Sequence, residues 1–178
     1  LRFARGEYLV IYDAEDRPEP LQLRRAAIAF ESQPADVVCL QALLGYHNPK
    51  QNRITEWFSA EYLSWFAHLL PGLVSLDVPI PLGGTSNHFR TAALKRVGRW
   101  DPHNVTEDAD LGFRLARHGY RCRMIAASTR EEANVALANW LHQRSRWLKG
   151  FLQTWLVHMR NPRQLRRELG TASFLTFQ

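Results

Sequence analysis

The chain has 178 residues, of which 46% are hydrophobic and 22% are charged, and its formal net charge is +6. This length and composition suit one globular domain with a hydrophobic core, and they exclude an intrinsically disordered chain. Because no stretch reaches the roughly 18 consecutive apolar residues that a spanning helix needs, we expect no transmembrane helix within it.

The chain begins with a buried strand that ends in an acidic loop. The continuous apolar run at residues 8–12 predicts a central strand, and the proline-containing segment 13–20 ends it. Ligands of open parallel sheets bind beyond the carboxyl ends of the strands, where Asp13 and Glu15 could hold a divalent cation against a diphosphate. Acidic residues are also ordinary formers of soluble turns, so the loop alone does not decide between these interpretations.

A helix at residues 20–32 and a second buried strand at 36–44 follow. The strand–helix–strand order predicts a parallel sheet with a helical crossover. Cys39, in this strand, and Cys122 lack any CxxC or histidine-spaced partner, so we expect core thiols in a reducing compartment rather than a zinc site or disulfide. We expect the buried side of the helix to include Leu21, Ala27, Ile28 and Phe30.

The middle of the chain predicts further elements around a loop of small residues. The loop is Gly83-Gly84-Thr85-Ser86, and a helix before it is expected to end at Pro71-Gly72. The predicted elements are helices at 53–70, 91–97 and 106–118 and a strand at 120–126.

The segment Thr106-Glu107-Asp108-Ala109-Asp110 begins one of these helices and admits two interpretations. Threonine is a good N-cap, and acidic residues in the first turn complement the helix dipole. Helix formation alone therefore explains why these residue types occur here. A carboxylate at this position could also face the same cleft as the acidic loop and take a proton from an attacking hydroxyl.

The last predicted element is a long helix at residues 133–159, which opens the basic end of the chain. Gly150 is a position at which it could bend, and Asn161-Pro162 ends it. From residue 138 onward there are seven Lys or Arg residues against the single acid Glu168, an excess equal to the net charge of the chain. We expect residues 160–178 to begin an interfacial or membrane-proximal segment, and the whole sequence to be part of a longer protein.

Three residues of the long helix share one face. Gln143, Arg146 and Trp147 are spaced i, i+3 and i+4, so an amide, a guanidinium and an indole are presented together. Arginine can clamp a diphosphate and tryptophan can stack on a sugar ring. A basic amphipathic helix lying on a membrane or another partner is the alternative.

The order of these motifs resembles the family 2 glycosyltransferases of the cellulose synthase and related β-glycan synthase type. The resemblance covers essentially the whole chain and is especially close from Arg130-Glu131-Glu132-Ala133 through Trp147. It implies that residues 1–178 are part of a catalytic domain with an α/β, GT-A-like (Rossmann-like) fold. That fold is a mostly parallel sheet flanked by helices, and its N-terminal nucleotide-binding part is missing from this sequence.

The resemblance also implies a role for each motif. Asp13 and Glu15 match the metal motif that holds Mg²⁺ or Mn²⁺, although Asp16 beside them leaves open which second carboxylate binds. Asp108 matches the general base, with Glu107 next to it. Gln143 and Arg146 match positions near the donor diphosphate, and acceptor-binding positions are matched by Trp147, Gly83, Gly84 and Thr85.

The activity implied is inverting transfer of a sugar from a nucleotide sugar, a UDP-sugar, to a growing β-linked glycan. It would take place at the cytoplasmic face of the inner membrane, to which flanking helices outside this sequence would attach the domain. A non-catalytic glycan-binding or nucleotide-sugar-binding subunit is the alternative. Nucleic acid is not an expected partner, because the sequence has no recognised nucleic-acid motif and its expected cleft is acidic.

Overall fold

The computed structural model describes residues 3–178, in which strands and helices alternate as expected of an α/β domain. The strands are β1 (Tyr8–Ile11), β2 (Arg17–Pro18), β3 (Val37–Tyr46), β4 (Asn87–Arg90) and β5 (Arg121–Glu131). The helices are α1 (Gln22–Ser32), α2 (Arg53–Ser64), α3 (Leu70–Ser75), α4 (Thr91–Arg96), α5 (Glu107–Arg117), α6 (Leu137–His158) and α7 (Pro162–Thr176), and a π-helical turn (Trp65–Leu69) joins α2 to α3.

The strands form one mixed sheet in the order β1-β4-β3-β5-β2. β3 pairs in parallel with β5, while the β1–β4, β3–β4 and β2–β5 ladders are antiparallel. β1, β3 and β5 therefore run in one direction and β2 and β4 in the other, so the sheet is mixed, with one parallel ladder at its centre. The predicted crossover from β1 to β3 is present, but β4 lies between these two strands and bonds to both. The prediction that β1 is a central, buried strand is wrong for residues 3–178, because β1 pairs only with β4 at one edge of the sheet and its side chains are half-buried.

The core lies on both faces of the central strand β3. Val38 and Leu44 pack into one cluster with side chains of α4 and α5, and Leu40 and Ala42 pack into another with Phe30 of α1. β3 is buried on both sides because its sequence is almost continuously apolar. Both predicted core thiols are confirmed, since Cys39 and Cys122 are buried and free.

The buried side of α1 differs from the prediction. Leu21 and Ile28 are exposed, and the buried positions are Gln22, Ala26 and Phe30. Gln22 can be buried because its side chain is fully paired: it accepts from the Tyr12 hydroxyl at 2.7 Å and donates to main-chain and hydroxyl oxygens of β5. Apolar spacing therefore predicted Phe30 correctly but was wrong about Leu21 and Ile28.

The helical segment after β3 is longer than predicted. Its expected end at Pro71-Gly72 is wrong, because the π-helical turn leads directly into α3 and Pro71 falls in the first turn of that helix. Pro71 has no N–H to donate to the preceding turn, and the π-helical turn immediately before it is where the regular α-helical hydrogen bonding is interrupted.

Two other boundaries also shift. β5 continues five residues past the predicted end at Ala126 to reach Glu131, and α6 begins at Leu137 and runs through Gly150 as one α-helix. No helix within residues 3–178 is long and apolar enough to cross a membrane.

Candidate active site

A cavity of about 400 Å³ opens at the carboxyl ends of β1, β3 and β5, which run in the same direction. The carboxyl ends of parallel strands are the usual position of a ligand site in open α/β sheets. Every site residue predicted from the sequence lines this cavity: Asp13, Glu15, Gly83, Gly84, Thr85, Glu107, Asp108, Gln143, Arg146 and Trp147. The structure thus brings the four motifs together, while the role of each residue stays a prediction.

The acidic loop after β1 is fastened to the glycine-rich loop by one carboxylate. Asp16 Oδ2 accepts a hydrogen bond from the Asp13 main-chain N–H at 2.8 Å, and it also accepts from the Thr85 hydroxyl. This arrangement occupies one oxygen of Asp16. It leaves the side chains of Asp13 and Glu15 as the pair that faces the cavity.

Negative charge accumulates at this end of the cavity. Burial raises the pKa of Asp13, and the charges of Asp16 and Glu15 raise it further. Burial and the same loop of carboxylates raise the pKa of Glu131, at the end of β5, to about 8. Asp16 Oδ1 and Glu131 Oε1 are both buried without a hydrogen-bond partner among the described residues. Such an excess of unpaired carboxylate oxygen is the environment that a cation relieves.

A metal cage made by protein alone is not present in residues 3–178, where no three Asp, Glu, His or Cys side chains are arranged to hold an ion. Magnesium sites at substrate phosphates commonly use only one or two carboxylates and complete their coordination with water and phosphate oxygens. Asp13 and Glu15 fit a site that uses two carboxylates with water and phosphate oxygens, because both side chains face the cavity and other negative charges surround them.

Asp108 lies at the first turn of α5 with its carboxylate toward the cavity. Its Oδ1 accepts a hydrogen bond from the Ala109 N–H at 2.8 Å. Burial raises the pKa of Asp108 to about 6 against the lowering effect of that bond, and the charges of Glu107 and Asp13 add to the rise. A Cβ on Gly84 would lie 3.4 Å from Asp108 Oδ2, so the glycine-rich loop lies directly beside this carboxylate. A carboxylate with a pKa near working pH is suited to proton abstraction.

Asp110, the third acidic residue of the segment 106–110, does not line the cavity. It is buried between Arg114, whose Nε donates to it at 2.5 Å, and His158 of α6, whose Nε2 donates at 2.9 Å. Burial alone would raise the pKa of Asp110, but the hydrogen bonds from His158 and Arg114 lower it below its usual value. Thr106, the residue before α5, makes no side-chain cap bond. The segment thus separates into cavity-facing Glu107 and Asp108 and an internal anchor, Asp110.

The basic face of α6 forms the wall of the cavity opposite the acidic loop. Trp147 is half-buried, its ring 5.9 Å from that of Phe58, and Gln143 accepts a hydrogen bond from the Asn134 amide at 2.9 Å. Arg146 is exposed and makes no salt bridge within the described part of the chain, so its guanidinium is free for an anionic ligand.

The comparison with protein families agrees with this geometry. Residues 8–177, nearly the whole chain, match the family described as Glycosyl transferase family group 2. The chain belongs to this family. The predicted resemblance to family 2 glycosyltransferases is therefore confirmed.

Several named glycosyltransferases of known sequence are similar to this family member. It is 28% identical over 160 residues to the beta-monoglucosyldiacylglycerol synthase of Trichormus variabilis, covering 88% of this chain and 33% of that protein. It is 25% identical over 144 residues to the probable glucomannan 4-beta-mannosyltransferase 11 of Arabidopsis thaliana, covering 80% of this chain and 32% of that protein. The chain spans about a third of the length of these relatives.

A solved structure of similar fold is the mannosyltransferase PcManGT from Pyrobaculum calidifontis in complex with GDP-Man and Mn²⁺. It superposes with a TM-score of 0.65 at 20% sequence identity, covering 98% of this chain and 46% of that one. The likeness confirms the predicted GT-A-like fold of this glycosyl transferase family group 2 member.

Glu131 and Arg144 are among the cavity residues of the family member that were not predicted from its sequence. Glu131 was missed because the strand that carries it was expected to end five residues earlier. Arg144 was missed because it is off the predicted face of the helix. It pairs with Glu61 at 2.7 Å, and its guanidinium lies 5.1 Å from the centre of the Trp147 ring, which holds that indole against α2.

The approach of α6 to the first turn of α5 depends on a glycine. Asn104 bridges the two, donating to the Thr154 hydroxyl at 2.7 Å and accepting from the Thr106 N–H at 3.1 Å. A Cβ on Gly150 would lie 2.5 Å from the Thr106 side chain, closer than real carbon contacts. Gly150 therefore sets the distance between the two walls of the cavity.

We expect Gly150→Ala to lower the free energy of unfolding by about 1–3 kcal/mol, because α6 must move away from Thr106. Chemical denaturation of the 178-residue chain measures this. Gly72→Ala is the matched control, since a Cβ there meets nothing within 4 Å, and it should leave stability unchanged or slightly higher. Equal stability of the two variants would contradict the close contact.

Proposed function

We propose that this chain is part of the catalytic domain of an inverting, metal-dependent glycosyltransferase that transfers a sugar from a nucleotide sugar to an acceptor hydroxyl. The observation that carries the proposal is the position of Asp108, a half-buried carboxylate with a raised pKa, in one cavity with an acidic loop and a basic, aromatic helix face. Membership of a glycosyltransferase family supports it.

The cavity residues divide the chemistry between them. Asp108 would accept the proton of the acceptor hydroxyl as the oxygen attacks the anomeric carbon, and Glu107 beside it raises the pKa of that base. Arg146 and Gln143 would bind the departing diphosphate, and Trp147 would stack on the acceptor sugar. A single displacement with base and leaving group on opposite faces converts an α-linked donor into a β-linked product.

A divalent cation, Mg²⁺ or Mn²⁺, would be held by Asp13 and Glu15 and would neutralise charge on the donor diphosphate. Asp16 is the weaker candidate, because one of its oxygens already bonds the Asp13 N–H and the Thr85 hydroxyl. The complex of the structurally similar mannosyltransferase with GDP-Man and Mn²⁺ supports a divalent metal.

We further propose that the donor is a UDP-sugar and the acceptor a growing β-linked glycan, with Gly83, Gly84 and Thr85 beside the acceptor end. The reaction would take place at the cytoplasmic face of the inner membrane, where helices outside this sequence would attach the domain. Relatives named as glucomannan mannosyltransferases support a glycan acceptor, and the relative named beta-monoglucosyldiacylglycerol synthase supports a membrane location.

The test uses the full-length protein, because the chain spans about a third of its relatives. Release of UDP or GDP is followed with Mn²⁺ and a panel of UDP-sugars and GDP-mannose, and the anomeric configuration of the product is read by NMR. The proposal expects acceptor-dependent release of nucleotide and a β-linked product. An α-linked product from an α-linked donor would overturn the inverting mechanism and the role of Asp108.

A non-catalytic glycan-binding or nucleotide-sugar-binding subunit is the second candidate. It would bind donor without turnover in the same assay. The retained carboxylates of the cavity favour catalysis, because a purely binding cavity has no need of a buried base that destabilises the fold.

The pH dependence of the reaction follows from Asp108. The base acts when ionised, so kcat/KM should fall tenfold per pH unit once the pH drops below its pKa, which is about 6 in the free cavity. Glu131 also titrates in this cavity, with a pKa near 8. Glu131→Gln therefore serves as the control, and its kcat/KM should still fall tenfold per pH unit below about pH 6. If this fall in kcat/KM disappears in Glu131→Gln, the assignment to Asp108 is contradicted.

A further inference from the structure

Strand β3 contains a single amide side chain in a sequence that is otherwise almost continuously apolar. This residue, Gln41, is fully buried, and the residue opposite it on β4 is a second buried amide, Asn87. Burying an amide costs free energy unless its polar atoms are bonded, so two neighbouring buried amides indicate specific partners. We name Gln41 and Asn87 together the amide clasp.

Both side chains of the amide clasp bond the main chain of the glycine-rich loop. Gln41 Oε1 accepts a hydrogen bond from the Gly83 N–H at 2.8 Å, and Gln41 Nε2 donates to the Thr85 carbonyl oxygen at 3.0 Å. Asn87 Nδ2 donates to the Gly83 carbonyl oxygen. The clasp therefore bonds the loop on either side of Gly84, which is the exposed residue of the loop.

The remaining polar atoms of the amide clasp have partners too, and these fix the orientation of each amide. Gln41 Nε2 also donates to the Ala42 carbonyl oxygen at 3.0 Å. Asn87 Oδ1 faces the Cys39 thiol, with 3.9 Å between oxygen and sulfur. Turning either amide over would set donor against donor or oxygen against oxygen, so the clasp bonds the loop in one arrangement.

Close packing holds the same loop. A Cβ on Gly83 would lie 2.9 Å from the side chains of both Leu44 and Phe66, so its main chain is already seated against β3 and the π-helical turn. Ser86, at the end of the loop, has a φ of 56°, a conformation that persists only where the surroundings hold it. Its N–H donates to the Ile11 carbonyl oxygen of β1 at 2.8 Å. The loop therefore cannot shift without losing these contacts.

The position of the loop matters because Asp108 lies beside it. A Cβ on Gly84 would be 3.4 Å from Asp108 Oδ2, so the loop main chain borders the proposed base. The loop residues line the cavity, whereas Gln41 and Asn87 do not, so the clasp can act on a ligand only through the loop. A misplacement of about 1 Å between reacting groups can slow a reaction on the order of 10²-fold.

We propose that the amide clasp positions the glycine-rich loop at the distance from Asp108 at which an acceptor hydroxyl can be deprotonated. The inference deepens the proposed function and rests on it, because that proposal assigns the loop to the acceptor end. Gln41 and Asn87 are thus positioning residues that touch no substrate. The alternative is a role limited to folding, in which the two amides only satisfy main-chain groups of the loop.

The first test needs no turnover and follows carbodiimide labelling of Asp108 in the full-length protein, quantified by mass spectrometry at constant pH. Gln41→Leu should label Asp108 about threefold faster or more, because the released loop no longer stays against this carboxylate. Asn87→Ala removes only the bond to the Gly83 carbonyl oxygen and should act more mildly in the same direction. Leu40→Ala is the matched control, because this equally buried side chain packs with the cluster under α1, and it should label as wild type does.

The second test follows nucleotide release by the full-length protein with mannotetraose or cellotetraose as the acceptor probe. Gln41→Leu should raise the acceptor KM about tenfold or more, while the donor KM and the slow release of nucleotide without acceptor stay as in wild type. Gln41→Glu should recover acceptor transfer, relative to wild type at the same pH, as the pH is lowered. A protonated carboxyl, like the amide, has an oxygen to accept from Gly83 and a donor for Thr85.

Two results would overturn the inference. The first is labelling of Asp108 at the same rate in Gln41→Leu, Leu40→Ala and wild type. The second is a rise in donor and acceptor KM by the same factor in Gln41→Leu, without recovery in Gln41→Glu, which a role limited to folding predicts. A wild-type protein without turnover would instead contradict the proposed function, and the labelling rates would still decide whether the clasp holds the loop against Asp108.

Discussion

In the full-length protein, Asp108→Asn should lower kcat about 10³-fold, because the acceptor hydroxyl loses its general base. Donor affinity should change little, since Asp108 is proposed to act on the acceptor. Steady-state nucleotide release measures kcat, and calorimetric titration of the donor measures affinity. Wild-type turnover in this variant would remove Asp108 from the mechanism.

The same substitution should leave the fold as stable or more stable. The pKa of Asp108 is about 6 in the folded chain against an ordinary value of 3.8 for aspartate, so ionisation at pH 7 opposes folding. This shift corresponds to about 3 kcal/mol, a cost that is present above pH 6 and disappears as the pH falls toward the unfolded pKa. The neutral amide avoids it, so thermal unfolding should occur at an equal or higher temperature. A large fall in that temperature would indicate a structural role instead.

Asp13→Asn should lower kcat/KM roughly 10²- to 10³-fold by weakening the divalent cation that neutralises the diphosphate. The readout that separates this effect from a general loss of activity is calorimetric titration of Mn²⁺ in the presence of the nucleoside diphosphate. Glu15→Gln should weaken the same titration, because the Glu15 side chain also faces the cavity.

The control for this experiment is Asp16→Ala. It removes the acceptor of the Asp13 N–H and the Thr85 hydroxyl, so it should lower the free energy of unfolding by about 1–3 kcal/mol. Its effect on Mn²⁺ affinity should be smaller than that of Asp13→Asn. Undiminished Mn²⁺ binding by Asp13→Asn, or a larger loss in Asp16→Ala, would reassign the metal ligands.

The part of the fold that was predictable is the part whose sequence is continuously apolar. β1 and β3 are such runs, and both were located from hydrophobicity alone. β4 was not, because a four-residue strand beginning Asn87-His88 acquires its burial from its two neighbours in the sheet. The buried face of α1 was predicted correctly only at Phe30 for a related reason, since the pairing of Gln22 with β5 cannot be seen in local spacing.

The site could be predicted as a set of motifs but not as a network. Strand ends and a helix face indicated the acidic loop and the α6 residues, because the topology brings those ends to one edge of the sheet. The glycine-rich loop was assigned to the site only through the family resemblance. The sequence could not show that Asp108 faces the cavity while Asp110 is buried and bonded to His158, because His158 lies 48 residues from Asp110 along the chain. The contact of Arg144 with Glu61 crosses 83 residues and was equally invisible.

The single carboxylate of Asp16 joins two loops with different proposed tasks, one at the donor metal and one at the acceptor end. A shift of either loop therefore changes the hydrogen bond that holds the other. Thermodynamic reciprocity requires that, if an occupied acceptor end alters donor affinity through this bond, a bound donor alters acceptor affinity by the same factor. Asp16 thereby provides a physical route by which the two substrates could bind cooperatively, without direct contact between them.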